Sequence, residues 1–201
     1  MSIIDMHVHT KYSACSHIEI HELLSTLSAL SNVDGIVITD HDVINGARIA
    51  QKYAKEKYDI KVFFGIEVTT LDGHLLAYGI DETLPVGLRA IDTIKEIHKK
   101  GGVVVASHPF RNVYGSLGDL VYNLGNVLDG IEVANAMDSK KAKAKARLAA
   151  QQLDLTMIGG SDAHSLKCVG RSTTIFETTI ESIDDIVDAI KKNQCRPYVS
   201  F

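Results

Sequence analysis

Residues 2–9 read SIIDMHVH, an apolar run that ends in two histidines at alternate positions, and the same construction returns along the chain. GIVITDH at 35–41, VFFGIE at 62–67, HLLAYGI at 74–80, VVVASH at 103–108, GIEV at 130–133, TMIGGS at 156–161 and TTIF at 173–176 are short β-branched runs that read as strands. Most are apolar on both faces, the pattern of a parallel sheet covered by helices rather than of a half-exposed antiparallel one. Helical periodicity lies between them. Leu23, Leu24, Leu27 and Leu30 share one face, as do Ile183, Ile186, Val187 and Ile190 behind a Ser182/Asp185 capping box. Residues 44–57, 88–100 and 140–153 also read as helices, whereas 111–125 is the least regular stretch, a surface loop with a short helix.

This alternation has no internal repeat and no Pro/Gly/Ser linker, so it predicts one α/β domain over residues 1–201, a small barrel or a doubly wound sheet. The two common doubly wound nucleotide fingerprints, G-x-G-x-x-G after a strand and G-x-x-x-x-G-K-[ST], do not occur. With 45% hydrophobic and 23% charged residues in 201, the composition is that of a globular chain able to fold without disulfides. Cys15, Cys168 and Cys195 are odd in number and form no C-x-x-C pair, which argues against a disulfide framework or zinc ribbon and leads to an expected cytoplasmic location. No signal peptide or membrane anchor is expected, since the N-terminal ten residues are charged and no apolar run approaches a ~18-residue span. A net charge of −4 argues against nucleic acid held by charge alone. Oligomeric state leaves no signature.

The informative pattern is where the metal-capable side chains fall. DMHVH at 5–9, TDHD at 39–42, GIE at 65–67, SHP at 107–109 and SDAH at 161–164 all lie at the ends of predicted strands. A core does not need them there. In parallel α/β folds the strand ends share one face, so five strands aim these groups at one place. Imidazole and carboxylate suit zinc, manganese or iron, and alternate strand positions let His7 and His9 bind one ion.

These motifs, together with DGHLLAYGI, VVASHPFR and GGSDAH followed by Gly170 and Arg171, resemble the PHP domain, named for polymerase and histidinol phosphatase, over essentially the whole chain. The resemblance implies a distorted (β/α)7 TIM-like barrel and a phosphoesterase with two or three divalent ions (Zn, Mn or Fe). His7, His9, Asp162 and a bridging Glu67 would hold the first ion, and Glu67, His74 and His108 the second. His41, His164 and Cys15 would hold the third. Cys15 is the departure, because family members carry Asp or His there; it is either a thiolate ligand tilting that position toward zinc or a packed thiol, with His17 nearby as a substitute.

Ions bridged by a carboxylate lower the pKa of a shared water from ~16 toward ~7, which supplies the attacking hydroxide. Asp162 or His164, acting through water, would protonate the leaving alkoxide. Arg111 and Arg171 have the planar fork that clamps phosphate, although each also suits an ordinary surface position. Asp40, Asp42 and Glu132 read as carboxylates that orient imidazoles or cap loops. His21, Glu22 and His98 receive no role, and Ser107 and Ser161 lack a triad. Lys140, Lys141, Lys143, Lys145 and Arg147 read first as a solvated helix face, and second as a positive patch for a phosphate-rich substrate. The expected substrate is thus a small phosphomonoester such as a nucleotide, a sugar phosphate or a histidinol-phosphate-like compound. The rivals are a phosphodiesterase acting on oligonucleotide ends and a non-catalytic RNA- or protein-binding scaffold; the near-complete ligand set argues against the scaffold.

Overall fold

The strand residues are apolar on both sides because both sides are covered. The computed structural model, which describes residues 1–58, 60–112 and 115–199, places them in strands β1 (Ser2–Val8), β2 (Gly35–Ile38), β3 (Lys61–Thr69), β4 (His74–Tyr78), β5 (Val103–Ala106), β6 (Gly130–Asn135), β7 (Thr156–Gly160), β8 (Ser172–Phe176) and β9 (Cys195–Val199). One sheet joins them in the order β7-β6-β5-β4-β3-β2-β1-β8-β9. Its far end curls back: the Asp162 amide donates to the His7 carbonyl at 2.7 Å and the His9 amide to the Ala163 carbonyl at 3.1 Å, so the sheet is a nearly closed barrel.

Helices α1 (Ile20–Ser28), α2 (Asn45–Lys57), α3 (Ala90–Lys99), α4 (Leu120–Leu124), α5 (Lys140–Leu153) and α6 (Ile183–Lys191) follow the predicted spans. α6 starts at the expected Ser182/Asp185 capping box. Leu23, Leu24 and Ala50 pack with Ile36 and Ile38 on one face of the sheet, while Met6, Val37, Leu76 and Val105 pack with Ile186 and Ile190 of α6 on the other. Each fully buried leucine or isoleucine contributes about 1.5–3 kcal/mol by leaving water. α6 sits at the starts of β1 and β7, where Ile180 is bonded to Ser2 and Ile190 to Thr156. The opposite end is left for the histidines. Among the described residues, no helix is long and apolar enough to cross a membrane.

The strands of the barrel are not uniformly parallel. Four ladders are parallel, but β1/β8, β3/β4, β4/β5 and β8/β9 are antiparallel. β3 turns directly into β4 with no helix between, pairing Thr69 with His74. This reversal matters for the site: His74, the first residue of β4, comes to the same end of the sheet as the last residues of β3 and β5.

Candidate metal centre

Alternate residues of an extended chain face the same way, so His7 and His9 leave β1 side by side, with their Nε2 atoms 3.0 Å apart. Both are fully buried. β7 reaches them only because residue 160 is glycine; a Cβ there would lie 2.5 Å from the His7 Cβ and 2.9 Å from Glu132 Oε1. The turn after β7 then delivers Asp162 with φ 52°, and the turn after β5 delivers His108 with φ 27°. L-residues in left-handed backbone cost ~1–2 kcal/mol, and such strain collects at functional sites.

Hydrogen bonds assign the protons. His7 Nδ1 donates to Glu132 Oε1 at 3.0 Å, and Glu132 also accepts from the His108 amide and from Asn135 Nδ2. His9 Nδ1 faces Ser13 Oγ at 3.1 Å, and that hydroxyl gives its own proton to Asp40 Oδ1 and accepts from the His41 amide. Ser13 therefore has only a lone pair for His9, whose Nδ1 must carry hydrogen. His164 Nδ1 likewise donates to the Asp162 carbonyl at 2.9 Å. In the neutral form of each of the three rings, Nε2 is then the lone-pair nitrogen.

Two of those lone pairs form a cage with carboxylate oxygens. His7 Nε2 and His9 Nε2 lie 3.2 and 3.1 Å from Glu67 Oε2, and 3.4 and 3.2 Å from Asp162 Oδ1. Four acceptors facing one another repel unless a cation or proton stands among them. Donors about 2.0–2.2 Å from one ion are separated by roughly 3.0–3.5 Å, so the cage has the dimensions of a metal site. On its other side, Glu67 Oε1 lies 3.0 Å from His108 Nε2 and 3.3 Å from His74 Nδ1, and it accepts from Ser107 Oγ at 2.7 Å. His74 Nδ1 is buried with no hydrogen bond among the described residues, as expected of a nitrogen kept for an ion. Glu67 thus divides two groups of imidazoles, one at each oxygen.

A third group lies at the exposed corner. Atoms of His9, Cys15 and His164 are all within 4.8 Å of one another, and His164 Nε2 is 3.1 Å from Cys15 Sγ. Cys15 and His164 are thus brought together. The remaining member of this group is His9, while His41 turns its Nε2 to Glu67 Oε2 at 3.2 Å and groups with Glu67 and His74.

The charges are strongly coupled. Burial opposes a charge on His7, but Asp162, Glu132 and Glu67 outweigh it and hold its pKa well above the ordinary value. Burial likewise opposes the charges of Glu67 and Asp162, and contact with His7 overrides it, leaving both carboxyls well below theirs. His41 is pushed down to about 4, mainly by burial, and stays neutral.

Arg111 stands beside the cage, but its fork is taken. Nε donates to Asp138 Oδ1 at 2.7 Å, and Nη2 is 2.7 Å from Asp162 Oδ2. Arg171 is exposed in the segment before β8. Sequence reading assigned no role to Ser13, Asn135 or Asp138 and set Ser107 aside. The nearest signal was Ser13, four residues after His9 in the stretch DMHVHTKYS at 5–13.

A PHP-associated family model matches residues 140–195. An uncharacterized protein of Methanocaldococcus jannaschii is 32% identical over 141 residues, covering 66% of this chain and 81% of that protein. PsfC of Pseudomonas syringae PB-5123 has a similar structure, with a TM-score of 0.78 at 20% identity over 99% of this chain and 91% of its own. A Bifidobacterium adolescentis protein assigned as a metal-dependent phosphoesterase gives 0.69 at 18% identity, over 94% and 96%. The lesion-specific endonuclease EndoQ of Pyrococcus furiosus gives 0.68 at 20%, over 95% of this chain but 56% of that one. At these identities the structural likenesses concern the fold. With the family match and the M. jannaschii relative beside them, the chain belongs to the PHP family.

Proposed function

We propose that this chain is a metal-dependent phosphoesterase that hydrolyses a small phosphomonoester. The observation that carries the reading is Glu67, a buried carboxylate whose two oxygens each face a separate group of imidazoles. His7, His9, Glu67 and Asp162 are assigned one divalent ion, Glu67, His74 and His108 a second with His41 beside them at Glu67, and Cys15 and His164 a third where three are bound; zinc, manganese and iron all suit these donors. Bound ions of this kind polarise a phosphoryl oxygen and make hydroxide available from water at neutral pH.

The chain's own part is positioning. Glu132 and Ser13 hold His7 and His9 in the tautomer that points Nε2 inward. Asp162 stays ionised and His164 neutral, and together they would orient water at the exposed corner so that the proton given up by the attacking water reaches the departing oxygen. Arg111 reaches phosphate through Nη1, because Nε and Nη2 are committed to carboxylates, and Arg171 is assigned the same anion. The negative overall charge remains the only argument against nucleic acid, and the fold also serves an endonuclease, so strand ends stay within the test.

Metal-stripped protein is reconstituted separately with manganese, zinc and magnesium; phosphate release is measured from nucleotide, sugar and amino-alcohol phosphomonoesters, and phenol release from an aryl phosphodiester. Metal-restored turnover of a monoester that is lost in Glu67→Ala and His108→Ala supports the reading. Turnover of the diester alone replaces it with strand-end hydrolysis. Full activity in either variant refutes the bridging role of Glu67.

A further inference from the structure

The basic face of α5 borders a cleft that the metal centre does not use. The cleft has a volume of about 760 Å³ between the segment after β5 and the first turns of α5, and Phe110, Arg111, Ser139, Lys141 and Lys145 line it. That volume falls in the range of small-molecule sites, roughly 300–1,000 Å³, and far exceeds the needs of one phosphate. Among the described residues, its lining includes three cations and no carboxylate. Lys141 and Lys145 are four residues apart and therefore share one face of α5.

The cleft and the metal centre meet at one side chain. Arg111 lines the cleft, and its Nη2 touches the same Asp162 whose other oxygen completes the cage. The cations also sit at the unfavourable end of their helix. The first turn of α5 carries Lys140 and Lys141 and no acid, although the amino end of a helix already has positive potential. An anion in the cleft relieves both. Lys145 pairs with Asp119 at 2.7 Å, but both partners are exposed, and a surface pair of this kind holds too weakly to resist exchange for a phosphate. The Lys145 ammonium also lies 4.4 Å from the centre of the Phe110 ring, which gives the cleft an apolar wall beside its charge.

We infer that this cleft is a second anion subsite, and that the preferred substrate is a small molecule carrying a second phosphate beyond the one that is hydrolysed. The inference rests on the proposed phosphoesterase reading. Lys141 and Lys145 hold the distal phosphate while the scissile one lies at the metal centre.

The test uses manganese-loaded protein and two series, the monophosphates and the bisphosphates of α,ω-alkanediols of increasing length. KM for the bisphosphate is expected to fall at least about tenfold below that of its monophosphate at one best chain length, the lower end of what a charged hydrogen bond contributes. In the double variant Lys141→Ala/Lys145→Ala that ratio returns to about one, whereas Lys143→Ala, outside the cleft lining, keeps it. Equal KM at every length, or a preference that survives the double variant, overturns the subsite. An oligonucleotide that competes better than every bisphosphate overturns the small-molecule assignment. If no compound releases phosphate, the phosphoesterase reading fails separately. Calorimetric binding of the bisphosphates, compared between the parent and the double variant, then still decides the subsite.

Discussion

Removing or supplying the ion should move the stability of this protein in a pH-dependent way. The cage sets the Nε2 atoms of His7 and His9 3.0–3.4 Å from each other and from oxygens of Glu67 and Asp162, and without an ion a proton on His7 is what keeps these acceptors from repelling. Because the folded pKa of His7 is raised, its contribution is fully present below the unfolded value, about 6.5, and is lost as pH rises through the folded value. Metal-free protein therefore weakens on the alkaline side, and the increment from an added ion grows there. An ion at 100 times its Kd adds about 2.7 kcal/mol. With an unfolding entropy of about 2.1 cal/mol/K per residue, that raises Tm by roughly 6 °C for a chain of 201 residues. Glu67→Gln keeps the shape but removes the charge shared by both groups. If it weakens binding 100-fold, the same ion concentration adds only about 0.4 kcal/mol, or roughly 1 °C. Thermal unfolding followed by circular dichroism at pH 6 and pH 8.5, with chelator or manganese, measures all four increments. An increment that shrinks with pH, or one that Glu67→Gln leaves intact, would refute the cage.

Three further outcomes follow from the supports of the site. Ser13→Ala leaves His9 Nδ1 without its acceptor, and manganese affinity measured by calorimetry should fall about 10–100-fold, with Ser13→Thr recovering part of it. Gly160→Ala forces a Cβ against His7 and Glu132, and should lower stability by more than about 2 kcal/mol in urea while weakening ion binding; a neutral result would mean that β7 can move away from β1. Burial pushes the Asp5 carboxyl up to about 6 from 3.8, although the Ser161, Gly170 and His7 amides oppose the shift. A raised carboxyl is favoured at low pH and becomes costly as pH rises through its folded value, so the stability difference should move toward Asp5→Asn by about 2.4 kcal/mol between pH 4 and 7. A pH-independent difference would show that Asp5 does not titrate in that window.

The convergence of these side chains was legible because a strand has no packing reason to end in histidine or aspartate, and that repetition at His7, His41, His108 and Asp162 exposed one face of the fold. Strand direction was less visible. Asp72-Gly73 between two apolar runs is a hairpin signal that marks β4 as antiparallel, and with it the place of His74. β9 was missed because Cys195–Val199 is short, contains Pro197 and pairs only with β8 as an edge strand. The supports of the site were hidden for another reason. Ser13 meets His9 only because the chain turns back after Thr10, and the engagement of Arg111 by Asp138 and Asp162 joins three separate loops.

That engagement changes what the site asks of its ligands. Glu67, Glu132, Asp138 and Asp162 are buried and touch either the histidines or Arg111, the one guanidinium among them. Four carboxylates against one cation leave about three negative charges in a poorly screened space, more than a proton on His7 offsets. One divalent ion would still leave the centre negative, and a phosphate dianion would be repelled. Two reverse the sign to about +1, and a third with a Cys15 thiolate carries it to about +2. The charge balance therefore asks for at least two ions before substrate, so a preparation titrated with manganese should gain turnover only after the first equivalent is bound, with activity rising along the second. Activity that saturates at one ion per chain would show that Glu67 does not bridge.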